Sequence, residues 1–146
     1  MDHRISRWAV VEEALNWVGT PYRHQSSLRD VGTDCLGLVR GVYREIIGPE
    51  PVEVPAYFPQ AEYGEGELLW SASMLNLVPA GRHVEAGNIL LFRMRPGQPA
   101  RHLAISISDG EMVHAAHGRR VARINFHSWW RRHCVARFDF PGVENE

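Results

Sequence analysis

Two stretches in the first third of the chain place apolar residues at steps of three and four, the period of an amphipathic helix. The first runs over Arg4–Val18, and Gly19 follows it as a helix-stop signal. The second begins at Cys35, directly after Thr33-Asp34, either of which can cap a helix, and it ends at Gly48-Pro49. The pattern therefore predicts two helices, with a cysteine in the first turn of the second.

The pattern changes after the second helix. Prolines at positions 49, 51, 55 and 59 predict an extended, irregular stretch, and the leucines of Glu65–Leu77 predict a short helix. From Val84 onward the chain consists of short β-branched or aromatic runs separated by glycine, proline and aspartate, which is typical of an antiparallel sheet. These runs cover residues 88–94, 102–108, 111–116, 120–124 and 134–140, and one helical turn is expected at 128–131. Helices followed by strands, without βαβ alternation, favour an α+β fold.

The register of one hairpin follows from the alternation of its side chains. Asp109-Gly110 marks the turn, and a three-residue loop with the glycine in the left-handed region separates polar from apolar positions cleanly. His114 then pairs with Ala104, and His102 lies diagonally across from His114 on the same face. A two-residue loop would instead place His114 among the aliphatic side chains. We therefore expect two imidazoles to meet on a face of small residues, and the helix that carries Cys35 to approach that face.

Length and composition limit the classes of protein. One domain over residues 1–146 is expected, because 146 residues with 45% hydrophobic side chains suffice for one core. Sixteen basic against seventeen acidic residues give a formal charge of −1, which argues against a nucleic-acid-binding protein. No apolar run approaches the ~20 residues of a membrane span, and Glu12 and Glu13 interrupt the N-terminal run before it could form a signal peptide. The two cysteines, Cys35 and Cys134, form neither a CxxC metal pair nor a disulfide framework.

The candidate chemistry centres on Cys35. Unpaired backbone N–H groups and the dipole at a helix N-terminus favour a thiolate, the nucleophilic form of cysteine. Taken alone, a cysteine is more often a small buried apolar residue. His102 and His114 on the facing hairpin would supply a base and a group that orients it. A metal site of Cys35, His102, His114 and His117 is an alternative, although the spacing matches no closed zinc pattern.

Five motifs resemble, in order, the successive motifs of the NlpC/P60 cysteine peptidases, across about residues 8–140. They are Gly19–Tyr22, Asp34–Val39, Gly87–Phe92, His102–Ile105, and Asp109-Gly110 followed by His114-Ala115. The resemblance implies a papain-like α+β fold with N-terminal helices packed on an antiparallel sheet. It also implies a peptidase that cleaves an amide bond in the peptidoglycan stem, commonly the γ-D-glutamyl to diamino-acid linkage, through an acyl-enzyme and without a metal or cofactor.

Carried over to this chain, the resemblance implies a role for each residue of the site. Cys35 is expected to be the nucleophile, His102 the base, and His114 the residue that orients His102. Tyr22, in the family's tyrosine position, is expected to hold the oxyanion together with the backbone N–H of Cys35.

The chain departs from the family's pattern at two places. Leu36 stands where a serine usually follows the cysteine, and His24-Gln25-Ser26 replaces a frequent Gly-Gly after the tyrosine. Both places, with Asp34 beside the nucleophile, are expected to contact the substrate's peptide. The departures therefore bear on which bond is cut more than on the reaction class.

The helix start DCLGLVRGVY most resembles the members of the family encoded with phage tails and gene transfer agents. This implies a protein made in the cytoplasm without a signal peptide, incorporated into a phage-like tail tip and acting at the periplasmic cell wall. Tail or baseplate proteins would then be its partners beside the peptidoglycan substrate, with no nucleic acid. The alternative is a catalytically silent structural subunit of a tail tip. The intact cysteine and two histidines argue against it, because a plug needs no thiolate beside an imidazole.

Overall fold

The structure is a computed structural model that describes residues 4–51 and 75–144. Its helices are α1 (Arg7–Asn16), α2 (Cys35–Ile46) and α3 (Ser128–His133). Its strands are β1 (Ile5–Ser6), β2 (Ser27–Leu28), β3 (Gly32–Thr33), β4 (Val78–Pro79), β5 (Ile89–Phe92), β6 (His102–Ser106), β7 (Glu111–His114), β8 (Ala122–Asn125), β9 (Cys134–Asp139) and β10 (Val143–Glu144). Strands β4–β9 form one six-stranded antiparallel sheet in the order β4-β9-β5-β6-β7-β8. The predicted α+β fold is confirmed.

Side chains just outside the helices determine where both N-terminal helices begin. The Ser6 hydroxyl accepts a hydrogen bond from the Ala9 N–H at 3.0 Å, so α1 begins three residues later than its apolar period predicts. Ile5 and Ser6 pair with β10 instead. The second helix begins at Cys35, as predicted, because the Asp34 carboxylate accepts from the Gly37 N–H at 2.7 Å.

The β6–β7 hairpin has the predicted register. Ala104 pairs with His114 and Ser106 with Met112, which leaves residues 108–110 as a three-residue loop. The prediction of a left-handed Gly110 is wrong, because its φ lies outside that region. The Gly110 N–H donates to the Ser108 hydroxyl and its carbonyl accepts from the Phe126 N–H, and these two bonds hold the turn without a left-handed residue.

Apolar clusters cover both faces of the sheet. Helices α1 and α2 pack on one face against a cluster that includes Leu103, Ile105 and Val113. On the other face lies a second cluster, whose buried members are Leu90, Phe92, Ala104, Met112 and Phe126.

The expectation that α2 approaches the small residues is therefore wrong, because α2 packs on the face opposite Ala104. The small residue Ser106 makes room for the segment before β5 instead. Its hydroxyl donates to the Glu85 carbonyl at 2.5 Å and accepts from the Asn88 N–H at 2.9 Å. Cys35 meets the histidines at the end of the sheet, where β6 begins.

The remaining predictions of helices and loops agree with the structure in some places and differ from it in others. The helical turn expected at 128–131 is present as α3 and extends to His133. The loop predicted between Tyr22 and Gly32 contains the β2–β3 ladder, which its composition did not indicate. Most of the helix predicted over Glu65–Leu77 lies outside the described residues, and residues 75–77 are not helical. None of the helices in the described part of the chain is long and apolar enough to cross a membrane.

Candidate active site

A cavity of about 280 Å³ opens where the N-terminus of α2, the start of β6 and the end of β7 meet. It holds three of the residues singled out from the sequence by chemistry, and Tyr22 lies on its wall. The lining residues are Tyr22, Cys35, Met94, Arg101, His102, His114, Ala115, Ala116, His117 and Trp130. A nucleophile and two imidazoles thus open onto one space.

Cys35 is half-buried, with its Sγ 3.8 Å from the Arg101 carbonyl oxygen. Burial, and then the neighbouring Asp34 carboxylate, raise the pKa of the thiol to about 12. The backbone N–H groups of Leu103, Leu36 and Cys35 oppose this rise but do not outweigh it. Desolvation thus opposes the predicted thiolate and outweighs the helix terminus, which favours the thiol as the resting form.

The two histidines are in direct contact across the hairpin. His102 Nε2 lies 2.8 Å from His114 Nδ1, and the rings meet edge to face. Burial, and then the proximity of His114, lower the pKa of His102 to about 3; burial lowers the pKa of His114 to about 4. Both rings are neutral at pH 7, so one of the two facing nitrogens donates and the other accepts.

Trp130 covers this histidine pair. Its ring centroid lies 5.9 Å from that of His102, 5.3 Å from that of His114 and 5.0 Å from that of Phe92. The sequence predicted only that residues 128–131 form one helical turn. Trp130 does pack on the second apolar cluster, but it also forms part of the cavity wall. The signal that could have found it is its place in a helical turn directly before the last strand of the sheet.

The other predicted site residues have different positions. Tyr22 is half-buried on the cavity wall, and burial, then Asp34 and Cys35, raise the pKa of its phenol to about 12, so it remains a hydrogen-bond donor. Asp34 is 2% exposed, and its carboxylate accepts from the N–H groups of Gly37 and Gln25, each at 2.7 Å. The Leu36 side chain is fully buried in the core. The side chains of Asp34 and Leu36 therefore face away from the cavity, and Asp34 instead fixes the helix start and the segment after Tyr22.

His117 lies at the mouth of the cavity, exposed, with its ring 4.9 Å from that of Tyr22 and edge to face with it. The zinc alternative required it to join Cys35, His102 and His114. Within residues 4–51 and 75–144, no three His, Cys, Asp or Glu side chains are grouped so that they could hold a metal ion.

Sequence comparisons give the same family as the motifs. The model of the NlpC/P60 family matches residues 19–138, which is more than half of the chain. The chain is 30% identical over 130 residues to the murein DD-endopeptidase MepS/murein LD-carboxypeptidase of Escherichia coli K12, covering 88% of this chain and 60% of that protein. It is 25% identical over 141 residues to the γ-DL-glutamyl hydrolase of Bacillus subtilis 168, covering 94% of this chain and 30% of that protein. The chain thus spans less than two thirds of these relatives.

Solved structures share the fold. The NlpC/p60 domain of the peptidoglycan hydrolase SagA superposes with a TM-score of 0.64 at 22% identity, covering 93% of this chain and all of that domain. An NlpC/P60 family protein from Bacillus cereus ATCC 10987 gives 0.68 at 19% identity, covering 92% of this chain and 40% of that one. The matched motifs and the shared fold lead to one assignment: the chain belongs to the NlpC/P60 family.

Proposed function

We propose that the protein is a cysteine peptidase that hydrolyses an amide bond in peptidoglycan stem peptides through an acyl-enzyme. One observation carries the proposal: the thiol at the start of α2 opens into the same cavity as two histidines in direct contact. The names of the relatives support the substrate class, since they describe a murein endopeptidase, a γ-glutamyl hydrolase and a peptidoglycan hydrolase.

The first half of the reaction forms a thioester. Because the resting pair is a thiol and a neutral imidazole, the Cys35 proton moves to His102 as Sγ attacks the carbonyl carbon. Nε2 of His102 faces His114, so Nδ1 is the nitrogen that takes the proton. The N–H groups at the start of α2 and the Tyr22 hydroxyl stabilise the oxyanion. His102 then protonates the amine, and the C–N bond breaks.

The second half releases the acid. Neutral His102 takes a proton from water as the water oxygen attacks the thioester carbonyl. The tetrahedral intermediate collapses by breaking the C–S bond, and the thiol regains its proton from His102. His114 keeps the imidazole of His102 in one orientation through both halves by accepting from its Nε2–H.

The γ-D-glutamyl to diamino-acid linkage is the bond that we propose is cut. The γ-glutamyl hydrolase relative supports it, although the murein DD-endopeptidase relative is named for a different bond. Mass spectrometry of purified peptidoglycan fragments after digestion identifies the new amine and acid ends, and a cut elsewhere in the stem would overturn the bond assignment alone.

Cys35→Ala tests the reaction class, with Cys134→Ala as the matched control. Cys134 is also half-buried and free, but it packs with the second apolar cluster and is not on the cavity wall. Digestion should stop in Cys35→Ala and continue in Cys134→Ala. A folded wild-type protein that produces no new amine end would overturn the peptidase proposal in favour of a silent structural subunit.

We also propose that the protein works as a component of a phage-like tail or gene transfer agent, which delivers it to the cell wall. The support is the helix start Asp34–Tyr43, whose sequence most resembles that subset of the family. Phage-like particles purified from the source organism should contain the protein at the tail end, as located by immunogold electron microscopy. Its absence from such particles would overturn the proposed role in a tail, but it would not bear on the proposed reaction.

A further inference from the structure

Backbone hydrogen bonds hold Tyr22 beside the start of α2. The Arg23 N–H donates to the Thr33 carbonyl and the Thr33 N–H donates to the Pro21 carbonyl, both at 3.0 Å, so these bonds flank Tyr22 on either side. Thr33 lies two residues before Cys35. The backbone of Tyr22 therefore keeps its place relative to the nucleophile as long as these bonds are made.

The Tyr22 side chain is held by fewer interactions than its backbone. Its ring packs in part on the apolar cluster that α1 and α2 share. Within residues 4–51 and 75–144 its hydroxyl makes no hydrogen bond. Such a side chain can rotate between staggered χ1 positions, and its hydroxyl can stabilise an oxyanion only in the position that faces the cavity. The orientation of the phenol therefore depends on what packs against its ring.

His117 packs against the Tyr22 ring. The two rings meet edge to face, with centroids 4.9 Å apart and an angle of 71° between their planes, and both line the cavity. Among the residues that the structure describes, His117 supplies the one aromatic ring in contact with Tyr22. The His117 ring itself makes no hydrogen bond or ion pair in that part of the chain. The contact with Tyr22 is thus the interaction through which His117 can act.

A tight turn after β7 presents His117 to the cavity. The Arg119 N–H donates to the Ala116 carbonyl at 3.0 Å and closes a turn with His117 and Gly118 at its centre. Gly118 has a φ of +76°, in the left-handed region. Since a Cβ on Gly118 would meet nothing within 4 Å, the backbone conformation and not the available space favours glycine there.

This turn is joined to the segment that leads into Tyr22. The Gly19 N–H donates to the Val121 carbonyl and the Val121 N–H donates to the Thr20 carbonyl, each at 2.9 Å. The Arg120 side chain also donates to the Gly19 carbonyl at 2.8 Å, across 101 positions of the sequence. The two loops are therefore fastened together, which fixes the positions of the two rings relative to each other.

We infer that His117 is a positioning residue, whose ring holds the Tyr22 hydroxyl toward the oxyanion. The inference rests on the proposed function, in which Tyr22 stabilises that oxyanion, and it adds a residue outside the cysteine and the two histidines in contact. The oxyanion exists in the tetrahedral intermediates and not in the bound substrate. The contribution of His117 therefore affects kcat and leaves KM unchanged.

Steady-state kinetics on a stem peptide that the wild-type protein hydrolyses test the inference. His117→Ala should lower kcat about threefold to tenfold with KM unchanged, which is the size of effect expected from an edge-to-face aromatic contact. His117→Phe should restore most of kcat, because a phenyl ring can pack against Tyr22 in the same way. His83→Ala is the matched control, since His83 is also exposed but is not on the cavity wall, and it should leave kcat unchanged.

A double substitution shows whether His117 acts through Tyr22. Tyr22→Phe keeps the ring but removes the hydroxyl, and it should lower kcat by more than His117→Ala does. In the Tyr22→Phe protein, His117→Ala should cause no further loss, because no hydroxyl is left to position. An equal loss in both backgrounds overturns the inference, since His117 would then act on the substrate directly or through the fold.

Failure of the inference is distinguishable from failure of the proposed function. If Tyr22→Phe slows the reaction and His117→Ala does not, the inference is overturned and the oxyanion role of Tyr22 stands. A His117→Phe protein as slow as His117→Ala also overturns the inference alone. Absence of hydrolysis by the folded wild-type protein overturns the proposed function, and the inference with it.

Discussion

A neutral imidazole can accept a proton only at the nitrogen that does not already carry one, and this decides how His102 and His114 divide their work. If Nδ1 of His102 takes the thiol proton, then Nε2 carries a hydrogen and donates it to Nδ1 of His114 across 2.8 Å. His114 must therefore be an acceptor at that nitrogen. Its role is to orient His102, and a base is not required there.

Substitutions of the two histidines separate these roles. His102→Ala removes the base and should lower kcat by ~10² to 10⁴ on a peptide substrate. His114→Ala should also lose activity, whereas His114→Asn and His114→Gln should retain more, because their amide oxygens still accept from His102. Equal loss in all three His114 variants, with the protein folded by circular dichroism, would contradict the orienting role.

The pH dependence of kcat/KM tests the protonation state of the resting pair. The pKa of the Cys35 thiol is raised to about 12 and that of His102 is lowered to about 3, so thiol and neutral imidazole persist between these values. We expect kcat/KM to stay level between about pH 6 and pH 10. A thiolate–imidazolium pair would instead lose activity near pH 8 to 9, when the imidazolium releases its proton, and a descending limb there would contradict the neutral pair.

Substitution of Trp130 tests whether the cavity wall keeps the pKa values of His102 and His114 low. Trp130→Ala admits water to His102 and His114, and because burial holds both pKa values low, they should rise toward 6.5. The acid limb of kcat/KM then moves to higher pH, and Trp130→Phe should largely restore it. Trp129→Ala is the control, since Trp129 is exposed and contacts Trp130 only from outside the cavity wall. An acid limb that does not move would make Trp130 a packing residue only.

Local rules predicted some features of the site and missed others for physical reasons. The alternation of side chains along the strands was enough to predict the contact of His102 with His114. A hairpin register shifted by one residue would mix polar with apolar side chains on both faces. The raised pKa of Cys35 could not be predicted from the sequence, because desolvation depends on which residues pack around the start of the helix. Trp130 was missed as a wall residue for the same reason, since only tertiary packing brings it to the histidines.

At the scale of the elements, close contact between α1 and α2 holds the nucleophile's helix against the sheet. Gly41 on α2 faces the Trp17 ring, and a Cβ at that position would lie 2.1 Å from the nearest ring carbon. Helix propensity favours alanine over glycine by ~1 kcal/mol, but the rigid, buried indole cannot move aside. Steric conflict therefore outweighs propensity at this position.

Gly41→Ala should lower the free energy of unfolding by about 2 kcal/mol, measured by urea denaturation. Gly81→Ala is the matched control, because a Cβ there meets nothing within 4 Å and the φ is not left-handed. Its effect should stay within about 0.5 kcal/mol. A Gly41→Ala protein as stable as the wild type would show that α1 and α2 can separate without cost.

Element types were easier to predict than their surroundings. The 3.6-residue period and the Asp34 cap were enough to predict where α2 begins, because both signals are local in the sequence. The delayed start of α1 depends on β1 pairing with β10, about 138 positions away along the chain, which no local pattern contains. The face on which α2 packs was predicted wrongly, since side-chain size at Ala104 and Ser106 also suits a covering loop.

At the scale of the whole molecule, folding and protonation of the site are linked. Helices α1 and α2 and strands β5–β7 share one apolar cluster, so we propose that residues 1–146 unfold as one unit. The histidine pair lies at the end of this sheet and is buried in its neutral form. Protonating it therefore works against the folded state as a whole.

Acid should destabilise the protein through His114, which is 7% exposed. Its pKa is lowered from 6.5 to about 4 on folding, so the unfolded chain binds the proton more readily between these values. The stabilising contribution is complete above about pH 6.5 and is lost as the pH falls toward 4, and it amounts to about 2 kcal/mol between pH 7 and pH 5. Urea denaturation at these two pH values measures the loss.

His114→Gln should reduce this loss of stability, because glutamine does not titrate, whereas His83→Gln, at an exposed position, should leave it unchanged. The same pH dependence in His114→Gln as in the wild type would mean that other groups cause the acid sensitivity and that His114 is not held neutral by the fold.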